Sequence, residues 1–300
     1  MHSAKLTMNK YLLLIFAAFG IANTVQAQEN SPLSRYGMGD IVPNQNITSR
    51  GMGGITTGFS EFQSINFTNP AAIANLGATI FDLGGEVDIR TLKQSNPAKK
   101  FTSVNTLFSY LQLGFPIASK KMVKKGIAWG LTLGIKPVTR INYKIEANQR
   151  LTNIDSLNTL YEGEGGINQA TIGTAFKYKG FSIGINTGYA FGNKSYNTRL
   201  TFINDTVHYY RSNTGNKTTF GGVFLTAGIQ YDILSKDKKK LLRLGIRGNL
   251  QQSVNAQRDD VVETFYSDDA GGNYRVDSIY EKKDIKGKIK LPFVCTTMEL

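Results

Sequence analysis

Hydrophobic and polar residues alternate with a period of two over much of the chain. In IAWGLTLGI (127–135) the odd positions are Ile127, Trp129, Leu131, Leu133 and Ile135, and the even ones are Ala128, Gly130, Thr132 and Gly134. Successive side chains of a strand point to opposite faces, so this segment carries one large apolar face and one face of small residues. The same form recurs in 170–178, 181–191, 241–250 and 79–89, with further candidates at 104–116, 218–232 and 286–293. The reading is an all-β protein with about eight clear strands, or about ten if 141–149 and 195–203 extend their neighbours.

Strand length, aromatic placement and loop parity turn this pattern toward a transmembrane antiparallel β-barrel. A soluble strand averages about five or six residues, whereas a tilted membrane strand needs about 9–11. Phe115, Tyr178, Phe181, Tyr189, Phe191, Phe220 and Tyr231 fall at strand ends, where membrane barrels carry their aromatic girdles. The expected connections are 91–103, 117–125, 140–165, 179–180, 192–217, 233–240 and 252–285. Short connections alternate with long ones, as periplasmic turns alternate with extracellular loops. In lipid every backbone N–H and C=O must be paired internally, which a closed barrel achieves without an exposed edge. A secreted sandwich or a periplasmic β-domain also alternates, but gives no reason to sort loops by parity.

The ends of the chain add targeting and a discontinuity. Lys5 and Lys10, the apolar run from Tyr11 to Ala22 and the small residues around Ala27 read as an export signal over 1–27. At about 12 residues the run is too short for a bilayer-spanning helix. Residues 79–293 are assigned to the barrel. Alternation fails at Val294, so 294–300 are expected to be an atypical tail on a barrel truncated at its C-terminal side; a closed eight-stranded barrel is the alternative.

Net charge is +13 and falls only to +11 without Lys5 and Lys10. An exported chain whose lysines gather in short runs (119–125 and 235–240) gives no reason to expect nucleic acid. Cys295 is the single cysteine, so no intrachain disulfide framework exists. With His2 in the export segment, His208 stands alone in a polar stretch. Ser-His-Asp catalysis and His-rich metal sites are therefore not expected, and no cofactor or enzymatic activity is assigned.

Residues 28–78 show no strand period. They contain RGMGGITTGFSEFQSINFTNPAAIANL (50–76), where Asn69 suits a helix N-cap, Pro70 the first helical position, and Gly77 a left-handed C-cap. A short helix from Ala71 to Leu76 is expected, and the aromatics Tyr36, Phe59, Phe62 and Phe67 suggest that the segment folds into the barrel mouth as a plug. On the barrel's small-residue face, Asp82, Glu86, Asp88, Lys177, Arg243 and Arg247 are expected to point into the lumen, pairing across it or with the plug, or simply meeting solvent.

The glycine-rich stretch, the triplet Asn69-Pro70-Ala71 and the strand that follows resemble the N-terminal region of FadL-type outer-membrane transporters. SPLSRYGMGD (31–40) is similar to the mature start of a set of Bacteroidetes outer-membrane proteins, and the PorV-type proteins of secretion systems share the Asn-Pro-Ala theme. The resemblance implies a plugged barrel in the outer membrane, surrounded by its lipid, that moves a hydrophobic small-molecule ligand passively through a lateral opening. The alternative it implies is a scaffold or secretion component that holds a protein partner with its long extracellular loops.

Overall fold

The computed structural model describes residues 31–117, 119–150, 152, 155–203, 209–237, 239–267 and 273–299. Residues 1–27, expected as an export segment, residues 28–30 and His208 lie outside them. The described residues form eleven strands: β1 (Asp40–Ile41), β2 (Ile80–Ser95), β3 (Ala98–Pro116), β4 (Ile127–Gln149), β5 (Ser156–Tyr178), β6 (Phe181–Ile203), β7 (Arg211–Leu234), β8 (Leu241–Asn249), β9 (Gln252–Ser267), β10 (Asn273–Leu291) and β11 (Val294–Glu299). They form one antiparallel sheet with the main order β10-β9-β7-β6-β5-β4-β3-β2. This order is a path, and no pairing joins its two ends among the described residues.

Two pairs of strands are single runs broken at one level. β8 pairs with residues 226–234 of β7 and β9 with residues 211–221, so both lie along the same edge of β7. On their far side β11 follows β8 and β10 follows β9. Leu291 faces Gln252 and Val294 faces Asn249, which keeps the register unchanged across the gap. Pro292 sits in that gap, where its missing N–H costs no ladder bond. Residues 294–299, expected as an atypical tail, are thus a strand paired with β8.

The strands are much longer than the apolar alternation indicates. β4, β5 and β6 have 23 residues each and β7 has 24. Most of the expected loops 91–103, 140–165, 192–217 and 252–285 are strand: the strands run to Ser95, Gln149, Ile203 and Ser267 and resume at Ala98, Ser156, Arg211 and Asn273. The reason is compositional. Beyond Phe191 the alternate positions of β6 on the aromatic side are Asn193, Ser195, Asn197, Arg199 and Thr201, so pairing continues after the apolar stripe ends.

Register irregularities change which face is covered. Between Pro137 and Thr139 the ladder with β5 gains one residue, Val138. Before this bulge the buried residues of β4 are even-numbered (Thr132, Lys136); after it they are odd-numbered (Thr139, Ile141, Tyr143). β3 makes a similar change between Ser109 and Tyr110. The ladder between β3 and β4 runs only from Leu111↔Ile135 to Pro116↔Gly130. Above it the free edge of β4 is taken by the N-terminal segment: Asp40 and Ile41 pair with Arg140 and Thr139, and Ser31 and Val42 donate to the carbonyls of Asn142 and Val138. Gly39, at φ +95°, lets this segment approach; a Cβ there would fall on the Arg140 carbonyl.

Residues 87–107, the joined ends of β2 and β3, form a compact unit of their own. Within it Thr91 and Thr102 share a hydroxyl hydrogen bond of 3.1 Å, and Arg90 pairs with Asp88 at 2.5 Å.

Candidate functional site

Residues 56–76 lie on the small-residue face of β3 to β8, and this contact organises the candidate site. Three asparagines hold the segment. Asn66 donates through Nδ2 to the Phe59 carbonyl (2.8 Å) and to that of Thr56, while its Oδ1 accepts from the Thr68 N–H (3.0 Å). Asn69 is fully buried; its Oδ1 accepts from the Ala71 N–H (3.1 Å) and its Nδ2 donates to the carbonyls of Thr57 (2.7 Å) and Ile229 (3.4 Å). It therefore caps the turn and ties it to β7. Asn46 caps the helix Ile47–Gly51 and donates to the Ile65 carbonyl (3.0 Å). From the sheet, Gln230 donates to the carbonyls of Thr57 (3.0 Å) and Phe59 (3.1 Å), and Asn186 to that of Phe67 (3.3 Å).

The triplet starts a helical turn, but of a different kind from the one expected. Pro70–Asn75 is a 3-10 helix, and Leu76 rather than Gly77 is its C-cap, in an extended conformation. Gly77 is not among the left-handed glycines. Pro70, Ala71, Ala72, Ile73 and Ala74 are all buried. Space for them comes from glycines on successive strands. A Cβ on Gly130 would overlap the Ile73 carbonyl, one on Gly184 the Pro70 carbonyl, one on Gly228 the Asn69 side chain and one on Gly245 the Thr57 carbonyl. Gly130, Gly184 and Gly245 admit a backbone at the sheet, and Gly228 admits the Asn69 side chain, where any larger residue would exclude them.

Charges on the same face fall into clusters. Asp232 accepts from Lys177 Nζ (2.6 Å) and from Arg243 through both Nε and Nη2 (3.2 Å for the latter). Lys177 also donates to Asn75 Oδ1 (2.6 Å), and Arg243 Nη1 to the Ser60 carbonyl (2.8 Å). Lys177 and Arg243 thus clamp both ends of the 60–75 stretch through a shared carboxylate. In the second cluster Glu86 binds Arg140 (2.6 Å) and Arg50, while Arg50 also donates to the Pro43 carbonyl (3.0 Å). Asp82 interacts with the Tyr110 hydroxyl and the Ile65 N–H. Asp88 lies in the separate unit of residues 87–107, where it binds Arg90.

Arg247 stands apart from both clusters. It makes no ion pair or hydrogen bond among the described residues, and its Nε is buried. Sequence reasoning passed over Asp232, Arg50 and Arg140. Asp232 carried a usable signal, because it falls on the even, small-residue face of β7 with Gly228 and Gln230. Arg50 lies in the aperiodic segment and Arg140 beyond the bulge at Val138, so neither could be placed by counting.

The opposite face of the sheet is apolar over a limited height. Phe181, Ile183, Ile185, Tyr189 and Phe191 on β6 and Val223, Ile229, Tyr231 and Ile233 on β7 are exposed. From Phe181 to Phe191 the rise is about 33 Å along the strand, which a tilt near 45° reduces to about 23 Å. Above this band the same face is polar: Lys144, Glu162 and Arg199 form an ion-pair ladder over β4, β5 and β6, at 3.6 and 3.1 Å. Among the described residues no group of His, Cys, Asp and Glu could hold a metal ion, and no helix is long and apolar enough to cross a membrane.

A family model described as BamG matches residues 8–298. No curated protein and no solved structure matches the chain. The chain belongs to the BamG family, and that membership implies association with the outer membrane.

Proposed function

Taking that membership as the premise, we propose that this chain is an outer-membrane β-barrel-like component of the machinery that assembles β-barrel proteins, and that it acts as a scaffold for protein partners. The observation that carries this reading is the division of its outward face. An exposed apolar band of about 23 Å suits a bilayer, and above it the strands of β4 to β7 continue for another ten or so residues with polar, ion-paired faces. Such rigid, hydrated strand extensions present a binding surface without the ordering cost of a mobile loop. Residues 56–76 are the plug of this arrangement. They are fixed by buried asparagines and the Asp232 cluster, so the protein needs no permanently open pore to perform its role.

Passive movement of hydrophobic molecules, implied by the FadL-type resemblance, has no support from the family and is not required by this geometry. Membership in an assembly machinery and transport predict different outcomes. A photo-crosslinking residue placed at Ser195 or Asn213, in the extensions, is expected to capture components of the assembly machinery in intact cells; the same residue at Ile183, in the apolar band, is not. Depletion of the chain is expected to lower the level of folded outer-membrane barrels, read from their heat-modifiable migration. Unchanged barrel levels together with adducts confined to the apolar band would overturn the proposal.

A further inference from the structure

A cavity of about 430 Å³ lies between the N-terminal segment and the sheet. Asn44, Phe67 and Thr68 line it from the segment, and Lys136, Gln169 and Arg247 from the strands. Half of the lining side chains are polar, and none is acidic. Strand register places the polar groups in two sets. Lys136 faces Gln169 across the ladder of β4 and β5. Thr226 faces Asn249 across that of β7 and β8, and Arg247 is two residues from Asn249 on the same strand face.

Neither cation of the cavity is neutralised. Lys136 is only 8% exposed; its ammonium donates to Asn44 Oδ1 and lies 4.8 Å from the centre of the Phe67 ring, and both partners are uncharged. Arg247 has a buried Nε without a hydrogen-bond partner, and no carboxylate pairs with it among the described residues. The cations of the two clusters (Arg50, Arg140, Lys177, Arg243) each have a carboxylate. A buried cation is costly unless paired, and these two also repel each other. Two unpaired cations call for about two negative charges. A phosphomonoester carries about −1.5 to −2 at pH 7, and a guanidinium can hold two of its oxygens at once; a carboxylate supplies half that charge. The side chains of Gln169, Thr226 and Asn249 also make no hydrogen bond among the described residues. Amides and hydroxyls both donate and accept, which suits the hydroxyl groups of a ligand. Bare phosphate would leave these groups and most of the cavity unused.

We propose that this cavity binds a small phosphorylated polyol of the monosaccharide phosphate class, its phosphate held by Lys136 and Arg247 and its hydroxyl groups by Gln169, Thr226 and Asn249. The bound molecule touches the N-terminal segment at Asn44 and Thr68 and the sheet at the other residues, so it fastens one to the other. The site rests on the cavity alone and holds whether or not the chain contacts the assembly machinery.

Isothermal titration calorimetry of the full chain in non-ionic detergent tests this with glucose 6-phosphate as the probe. Saturation at one molecule per chain is expected, with at least tenfold weaker binding of glucose, glucuronate, butyl phosphate and inorganic phosphate. Lys136→Met and Arg247→Met are each expected to weaken glucose 6-phosphate at least tenfold in protein that still shows heat-modifiable migration. Should a Met variant fail to fold, Arg247→Lys keeps the test open: it retains charge but not the fork of donors and is expected to weaken binding several-fold. Equal binding of glucose, or no change in Arg247→Met and Arg247→Lys alike, would overturn the role of the two cations. Equal binding of glucuronate would overturn the phosphate. Equal binding of butyl phosphate or inorganic phosphate would overturn the polyol, and no saturable binding of glucose 6-phosphate would overturn the site.

Discussion

Asn69 shows how much one side chain carries here. Its amide caps the turn at Ala71 and reaches both Thr57 and Ile229, so truncation leaves the Ala71 N–H buried without its acceptor and the Thr57 carbonyl with Gln230 as its side-chain donor. Asn69→Ala is expected to cost about 1–3 kcal/mol, the usual cost of one orphaned buried group; the urea midpoint of the detergent-solubilised protein measures it. Asp232 is the second such residue. Its side chain is 13% exposed and serves both Lys177 and Arg243. Asp232→Ala leaves two cations facing each other and is expected to cost about 3 kcal/mol, as for a broken buried pair. In the same variant the two ends of the 60–75 stretch should become more cleavable by protease, because the tethers at Asn75 and at the Ser60 carbonyl pass through residues that Asp232 holds.

At the level of elements, a period of two is readable only while one face is apolar and the other small. The lower portions of β4 to β8 meet that condition and were legible to within a residue or two. Upper portions such as 192–203 of β6 are polar on both faces, and nothing local separates them from a loop; pairing to residues on both neighbouring strands makes them strand. The bulge at Val138 is invisible for the same reason, since it matters only relative to β5. Pro292 allows a direct test of the break in β10 and β11. Register is unchanged across it, so Pro292→Thr restores a donor at a position already aligned for pairing. Hydrogen exchange at residues 292–294 is expected to slow at least tenfold in this variant.

For the whole molecule, the proposed plug predicts a change in permeability. Removal of residues 31–76, with residues 1–30 retained, deletes the chain that covers Gly130, Gly184, Gly228 and Gly245. The remaining protein is expected to conduct ions in planar bilayers, whereas the intact chain is expected to be silent or nearly so. Asp232→Ala should fall between the two, with intermittent openings. Equal conductance of intact and deleted chains would mean that residues 31–76 do not seal a pore.

Alternation, the N-cap at Asn69 and the side of the sheet taken by Asp82, Glu86, Lys177, Arg243 and Arg247 follow from local chemistry, because each depends on spacing along one strand or one turn. Partners do not. That Asp232 joins Lys177 to Arg243, that Arg50 shares Glu86 with Arg140, and that Arg247 has no carboxylate depend on strands and segments far apart in the chain. So do the glycines. In the sequence Gly130 and Gly184 read only as small residues on one strand face; their necessity appears when the backbone of Pro70 and Ile73 is seen against them. A period is a property of one segment, whereas neutralising a buried charge and excluding a side chain are properties of two, and only the folded chain brings the second one near.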